Sequence, residues 1–187
     1  NKMNSTPVSR TNAIEILRIY NKDLRDQIHY LESEAVMMKL AERLGENVEY
    51  WGMLGLLHDI DWGITKENPK EHLTKAPEIL SDAGFDDEFI EIILSHGYGF
   101  EELPKLKDKK RTKKIEHALA ASETITGLIH AYALMRGNRV SDMEVAGLHK
   151  KFKDKTFAAG VDREIIKEIE NLGISLEEFF GIAIEGI

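Results

Sequence analysis

The 187-residue chain is 42% hydrophobic and 31% charged, enough for one domain with a sizeable core, or one domain with a small appendage. Its net charge of −8, from 25 basic and 33 acidic residues, removes the basic field that a nucleic-acid polymer would require, so none is expected as a partner. Cysteine is absent, which excludes disulfides and thiolate ligands and fits a cytoplasmic location, and no apolar run approaches the roughly 20 residues of a membrane span.

The polar stretch from Asn1 to Asn12 carries no signal-peptide pattern. Nearly every segment after it reads as helix, and the four prolines leave long runs without a breaker. Ile14, Ile16, Leu17 and Ile19 mark a short helix over 11–20. Residues 23–44 form a longer one, with Leu24, Ile28, Leu31, Ala35, Met38, Leu40 and Leu44 at helical spacing and Gly45 as its stop. Asn47 opens a third, over 48–59. Residues 61–68 are turn-rich, and Pro69 opens a helix that runs to about Ala83. Asp86 and Asp87 cap the next, which carries Phe89 to Leu94 and ends at Ser95-His96-Gly97. A loop over 101–110 precedes a long helix at 112–136. Ser141 with Glu144 is a capping-box pattern for 142–151, Asp162 caps 163–171, and Ser175 with Glu178 opens the last helix. No alternating strand pattern and no repeat is visible. The expected fold is a single all-α bundle over 11–140, with a small helical extension over 141–187 packed on it.

The stretch Trp51–Trp62, W-G-M-L-G-L-L-H-D-I-D-W, carries His58 and Asp59 out of an apolar run. An ionised Asp beside an imidazole is costly to bury without a partner, and a metal ion or a salt bridge would serve. Seven His and eleven Asp in this chain make about 0.4 such dipeptides expected by chance, so the pair alone says little. Its context adds His29 beside the stripe Leu24, Ile28 and Leu31, which implies a neighbouring buried face. It also adds His72 near a helix start, His96 at a helix end, and Glu123 within A-L-A-A-S-E-T-I-T-G-L-I. Four His and two carboxylates, all near helix ends or apolar faces, are an inventory that would suit one or two divalent metals. Taken singly, each has a plainer reading: a lone His on an apolar face is more often a satisfied core or surface residue, and Glu123 reads as a buried carboxylate paired with His117 or His130. None of them is an i, i+4 pair with another, so only tertiary packing can bring them together.

These segments resemble the HD-domain proteins of the metal-dependent phosphohydrolase superfamily, over about residues 24–187. The resemblance is carried by His29 with E-A-V-M and L-A-E-R-L-G, by L-L-H-D-I-D-W, by E-H-L-T-K-A-P-E-I-L, and by I-L-S-H-G and T-G-L-I. K-D-K-T-F-A-A-G-V at 153–161 is similar to a C-terminal segment of one branch of uncharacterised HD hydrolases. The resemblance implies metal ligands at His29, His58, Asp59, His72, His96 and Glu123, with His58 and Asp59 as the catalytic signature. In a two-metal arrangement Asp59 would bridge, His29, His58 and Glu123 would hold one ion, and His72 and His96 the other. The mixed N/O set favours Mn, Fe, Co, Ni or Zn over Ca. Where the family pattern has Asp this chain has Glu123, whose extra methylene moves the carboxylate by about 1.5 Å.

The function implied is hydrolysis of a small phosphorylated compound, a nucleotide among the candidates. A degenerate module that binds a ligand or partner without turnover, and a diiron oxygenase, are the alternatives. Lys105–Lys114 holds seven basic residues against Asp108. It reads as an anion funnel with Lys105, Lys107 and Lys110 as substrate contacts, or as a solvated face. Lys155, in the second lysine cluster, is a further candidate phosphate contact. Trp51 and Trp62 read as core or cleft-wall residues.

Overall fold

A computed structural model describes residues 5–187; the start of the polar N-terminal stretch lies outside the described residues. Among them there is no strand, and no helix is long and apolar enough to cross a membrane. The fold is all-α.

Helix α1 (Arg10–Tyr20) starts where the Ser9 side chain accepts from the Asn12 N–H, and α2 (Leu24–Leu44) where Asp23 accepts from the Arg25 N–H. Helix α3 (Val48–Leu57), capped by Asn47, is the centre of the molecule. Every residue from Tyr50 to Leu57 is buried, as befits a helix that is apolar all round. A short α4 (Trp62–Thr65) follows, then a 3-10 turn (Pro69–Glu71), α5 (Ala76–Asp82) and α6 (Asp87–Ser95). The long α7 (Lys114–Met135) packs along α2. The chain closes with α8 (Val145–Lys153), α9 (Arg163–Lys167), a second 3-10 turn (Glu168–Leu172) and α10 (Leu176–Gly186), which lie against α2 and α7.

Three local expectations are corrected. The stripe on α2 does not face the interior: Leu24, Ile28 and Leu31 are 71%, 51% and 42% exposed. The buried face instead runs through Tyr30, Ser33, Glu34, Met37, Leu40 and Ala41. It has the same helical spacing but is interrupted by two polar residues, and Glu34 is buried because Arg10 donates to both its oxygens at 2.7 and 2.8 Å. The helix expected from Pro69 to Ala83 is broken at residues 72–75. There the buried carboxylate of Asp61 accepts from the backbone N–H groups of Leu73, Lys75 and Ala76 at 3.0–3.1 Å, holding the chain in a turn with Leu73 at φ 68°. The helix expected at 142 begins three residues later. Arg136 donates to the Asp142 carbonyl and pairs with its carboxylate at 2.9 Å, keeping 141–142 in a turn.

An ion network joins the C-terminal part to the end of α6. Arg111 Nε and Nη2 donate to Glu168 at 2.7 and 2.6 Å, its Nη1 donates to the Ser95 and Tyr98 carbonyls at 3.0 Å, and His117 Nδ1 meets Glu168 at 2.7 Å. Burial acts to raise the Glu168 carboxyl, but the bonds from Arg111 and His117 outweigh it and hold it below its ordinary value. A group depressed in the folded state stabilises above its unfolded pKa, roughly 4.3, and that contribution is lost as pH falls through the lower folded value. The Tm gap between wild type and Glu168→Gln is therefore expected to be full at neutral pH and to close in acid. A gap that does not change with pH would contradict this.

Candidate metal centre

Five segments meet at one point. His29 comes from α2, His58 and Asp59 from the end of α3, and His72 from the turn before α5. His96 comes from the C-terminal end of α6, and Glu123 from α7. The approach of α2 to α3 depends on Gly55, where an added Cβ would lie 2.5 Å from the Ser33 carbonyl oxygen. Backbone contact of this kind brings His29 Nε2 to 3.1 Å from His58 Nε2.

Each imidazole is anchored through Nδ1. His58 Nδ1 donates to the Gly55 carbonyl at 2.7 Å, and His96 Nδ1 to the Ile93 carbonyl at 2.6 Å. His72 Nδ1 donates to Asp61 at 2.9 Å. The Thr126 hydroxyl gives its proton to the Glu123 carbonyl, so at 2.9 Å from His29 Nδ1 it accepts. These partners assign the ring proton to Nδ1 in all four histidines and leave four Nε2 lone pairs pointing into the same space.

The carboxylates face them. Asp59 Oδ1 lies 3.0 Å from His72 Nε2 and 3.0 Å from His96 Nε2. Its Oδ2 lies 3.3 Å from His58 Nε2 and 3.8 Å from His29 Nε2. Glu123 Oε2 is 3.7 Å from His29 Nε2 and 3.8 Å from His58 Nε2. Acceptors converging without a donor repel unless a cation or protons lie between them. Two groups have the ligand spacing of a metal site: His29, His58 and Asp59, and Asp59, His72 and His96. A nitrogen-rich set with carboxylates fits a divalent transition metal.

Without metal the same crowding displaces the titrations. Burial acts to lower His72, but its bonds to Asp59 and Asp61 prevail and hold it up at about 10. Burial also opposes charge on His58, and Asp59 outweighs it, so His58 is raised. His29 is lowered by burial and by the adjacent His58. Burial would raise Asp59, yet His58 and His72 hold it well below the usual carboxylate range.

All six residues expected as ligands are thus gathered. The pairing of Glu123 with His117 or His130 is not found: His117 bonds Glu168, and Glu123 turns to His29 and His58. The lysines scatter. Lys105 lines a cleft of about 610 Å³ with His72, Lys70, Lys75 and Lys109, over a floor that includes Leu73, Leu103 and Leu106. Lys110 lines a different cleft, beside Asp87 and Glu116. Lys107 lines neither, and Lys155 is exposed on the turn after α8. Trp51 is core, and the Trp62 ring stands edge-on to His72 at 5.1 Å.

Asp61 and Thr126, which the sequence does not single out, orient His72 and His29. The signal for Asp61 was present, since a carboxylate inside the apolar run D-I-D-W must find donors. Thr126 carried none, because a threonine in an apolar helix is unremarkable until its neighbour is known.

Comparison with protein-family models matches residues 27–131, more than half of the chain, to the family described as HD domain. Neither the curated proteins nor the solved structures contain a match.

Proposed function

Because the chain belongs to the HD-domain family, within the metal-dependent phosphohydrolase superfamily, we propose that it hydrolyses a small phosphorylated compound. The observation that carries this reading is the convergence of four Nε2 lone pairs and two carboxylates. Divalent metal ions bound there supply Lewis acidity and lower the pKa of bound water. His29, His58 and Glu123 would hold one ion and His72 and His96 the other, with Asp59, whose two oxygens face the two sets of histidines, as the shared ligand. Asp59 and Glu123 are the carboxylates that face both the cluster and solvent, with side chains 15% and 16% exposed. They are therefore placed to orient a water against a phosphoryl group entering from outside. His58, fully buried, reaches only the cluster and acts as a ligand. In the reaction, water oxygen adds to phosphorus while the ester P–O bond breaks, and the proton that the water gives up ends on the departing oxygen, which leaves as the alcohol. Support for turnover over the degenerate alternative comes from Glu123, whose longer side chain still reaches both histidines of its half.

The test is elemental analysis of the purified full chain, together with hydrolysis of p-nitrophenyl phosphate in the presence of Mn, Fe, Co, Ni or Zn. Bound metal and turnover are expected. A protein that holds no metal and is inactive with all five overturns the proposal.

Asp61 bears on the same reading through His72. In Asp61→Asn one oxygen becomes an NH₂ group and can no longer accept from its two N–H partners. Metal affinity is expected to fall roughly 10–100-fold, the usual effect of losing a group that orients a ligand. Competition against a chromophoric chelator measures it, and unchanged affinity would remove Asp61 from the site.

A further inference from the structure

The lysine-rimmed cleft against His72 has features that the cluster of ligands does not use. Lys70, Lys75, Lys105 and Lys109 surround it, with Glu71 as the one carboxylate in the same wall. That is a local excess of positive charge in a chain whose net charge is −8. Among the described residues none of these four lysines pairs with a carboxylate, whereas Lys39, Lys66 and Lys167 elsewhere do. The Lys109 ammonium rests over the Tyr98 ring at 5.5 Å, and Lys109 also borders the neighbouring cleft that holds Asp87, Glu88, Glu91 and Glu116, so Lys70, Lys75 and Lys105 are the three of the four lysines that line this cleft alone.

The floor of this cleft is apolar. Leu73, Leu103 and Leu106 are buried and crowd Gly97, where a Cβ would lie 2.7 Å from Leu73 Cδ1 and 2.9 Å from Leu103 Cδ1. Gly97 follows His96 directly, and His72 is shared between the cleft wall and the cluster, so the cleft adjoins the half of the cluster that Asp59 Oδ1 faces. A small inorganic anion has no use for the leucine floor, and a purely apolar ligand has none for the lysines. The two together call for a molecule with an apolar body and an anionic end.

We propose that this cleft takes the non-reacting phosphate and the apolar body of a bisphosphorylated substrate, whose other phosphate lies at the cluster. The assignment rests on the phosphohydrolase reading for that second half. It narrows the substrate class to compounds with two separated phosphates.

The test compares adenosine 3′,5′-bisphosphate with adenosine 5′-monophosphate, by calorimetric binding to the full chain without metal and by turnover with the metal that best supports hydrolysis. At low ionic strength the bisphosphate is expected to bind at least tenfold more tightly, an advantage that salt reduces. The double variant Lys75→Glu/Lys105→Glu is expected to bring the ratio of the two affinities close to one. Lys22→Glu/Lys167→Glu makes the same change in net charge at two exposed positions outside the cleft and is expected to keep the ratio. Equal affinities in the wild type, or equal effects of the two double variants, overturn the proposal. The two readings fail separately. Lysine-dependent binding of the bisphosphate with no turnover on any metal would sink the hydrolase and leave the cleft standing. Hydrolysis of p-nitrophenyl phosphate with no lysine-dependent preference would do the reverse.

Discussion

Asp59→Ala is expected to abolish turnover and to strip metal from both halves of the cluster. Its two oxygens serve different partners: Oδ1 faces His72 and His96, and Oδ2 faces His58 and His29. Removing it leaves four imidazole lone pairs with Glu123 as the remaining carboxylate, on one side only. The loss in activity should exceed the roughly 10–100-fold typical of a residue that only orients a ligand. Asp59→Asn distinguishes a bridging role from a simple ligand. An amide has one acceptor oxygen, and its NH₂ would point donors at the other half. Metal content by elemental analysis is therefore expected to fall by about half in the Asn variant and to near zero in the Ala variant. A protonation readout accompanies it. In the metal-free protein His72 is held up at about 10 by Asp59 and Asp61, against burial. NMR titration should find it lower in Asp59→Ala. Retention of both metals by the Ala variant would refute the arrangement.

The largest stability effect is expected at Arg163→Met. This side chain is buried, and its guanidinium donates to six backbone carbonyls: Lys151, Phe152, Asp154, Phe157, Ala158 and Val161. Among the described residues no carboxylate pairs with it. The charge is compensated by carbonyl dipoles instead, and the segment 151–161 is wound around it, with Ala158 at φ 46°. Phe157, Ala158 and Val161 of that segment pack on the core, and Val161 lies over Gly127 of α7. Methionine fills much of the volume but leaves the carbonyls without donors. Each unsatisfied buried group costs about 1–3 kcal/mol, so a total of roughly 3 kcal/mol is a conservative expectation. For a chain of this length that lowers Tm by roughly 6–12 °C. Arg163→Lys keeps the charge but offers three donors in place of five and should fall between the two. Thermal unfolding followed by circular dichroism decides it, and a shift under 2 °C for the Met variant would contradict this account.

Arg163 also illustrates what residue patterns leave out. K-D-K-T-F-A-A-G-V resembles a family segment, while the arginine two positions beyond it belongs to no pattern. A buried cation is recognised only once the carbonyls around it are in place. Asp61 is similar. It lies two residues after Asp59 in a stretch that read as a connection, yet it breaks the helix expected after Pro69 and sets the tautomer of His72. On α2, two faces share the same spacing. The more apolar one, Leu24-Ile28-Leu31, is exposed, because the other is the face that packs on α3, with Gly55 closing on the Ser33 backbone and Arg10 satisfying Glu34.

Most helix positions, the caps at Gly45, Asn47, Asp86, Asp162 and Ser175, and the supply of imidazoles and carboxylates were legible in the residues alone, whereas the helix start at Pro69 and the Ser141 cap were overridden by contacts of Asp61 and Arg136. Helical hydrogen bonds span four residues, and capping side chains reach no further than three, so both are written locally. The convergence of His29, His58, Asp59, His72, His96 and Glu123 spans 94 positions from first to last and was decided by packing alone. So were the proton positions on the four rings. Each depends on a partner, Gly55, Ile93, Asp61 or Thr126, and for His29 and His72 only the fold supplies it: Thr126 lies 97 residues from His29, and Asp61 reaches His72 through a turn that its own carboxylate holds.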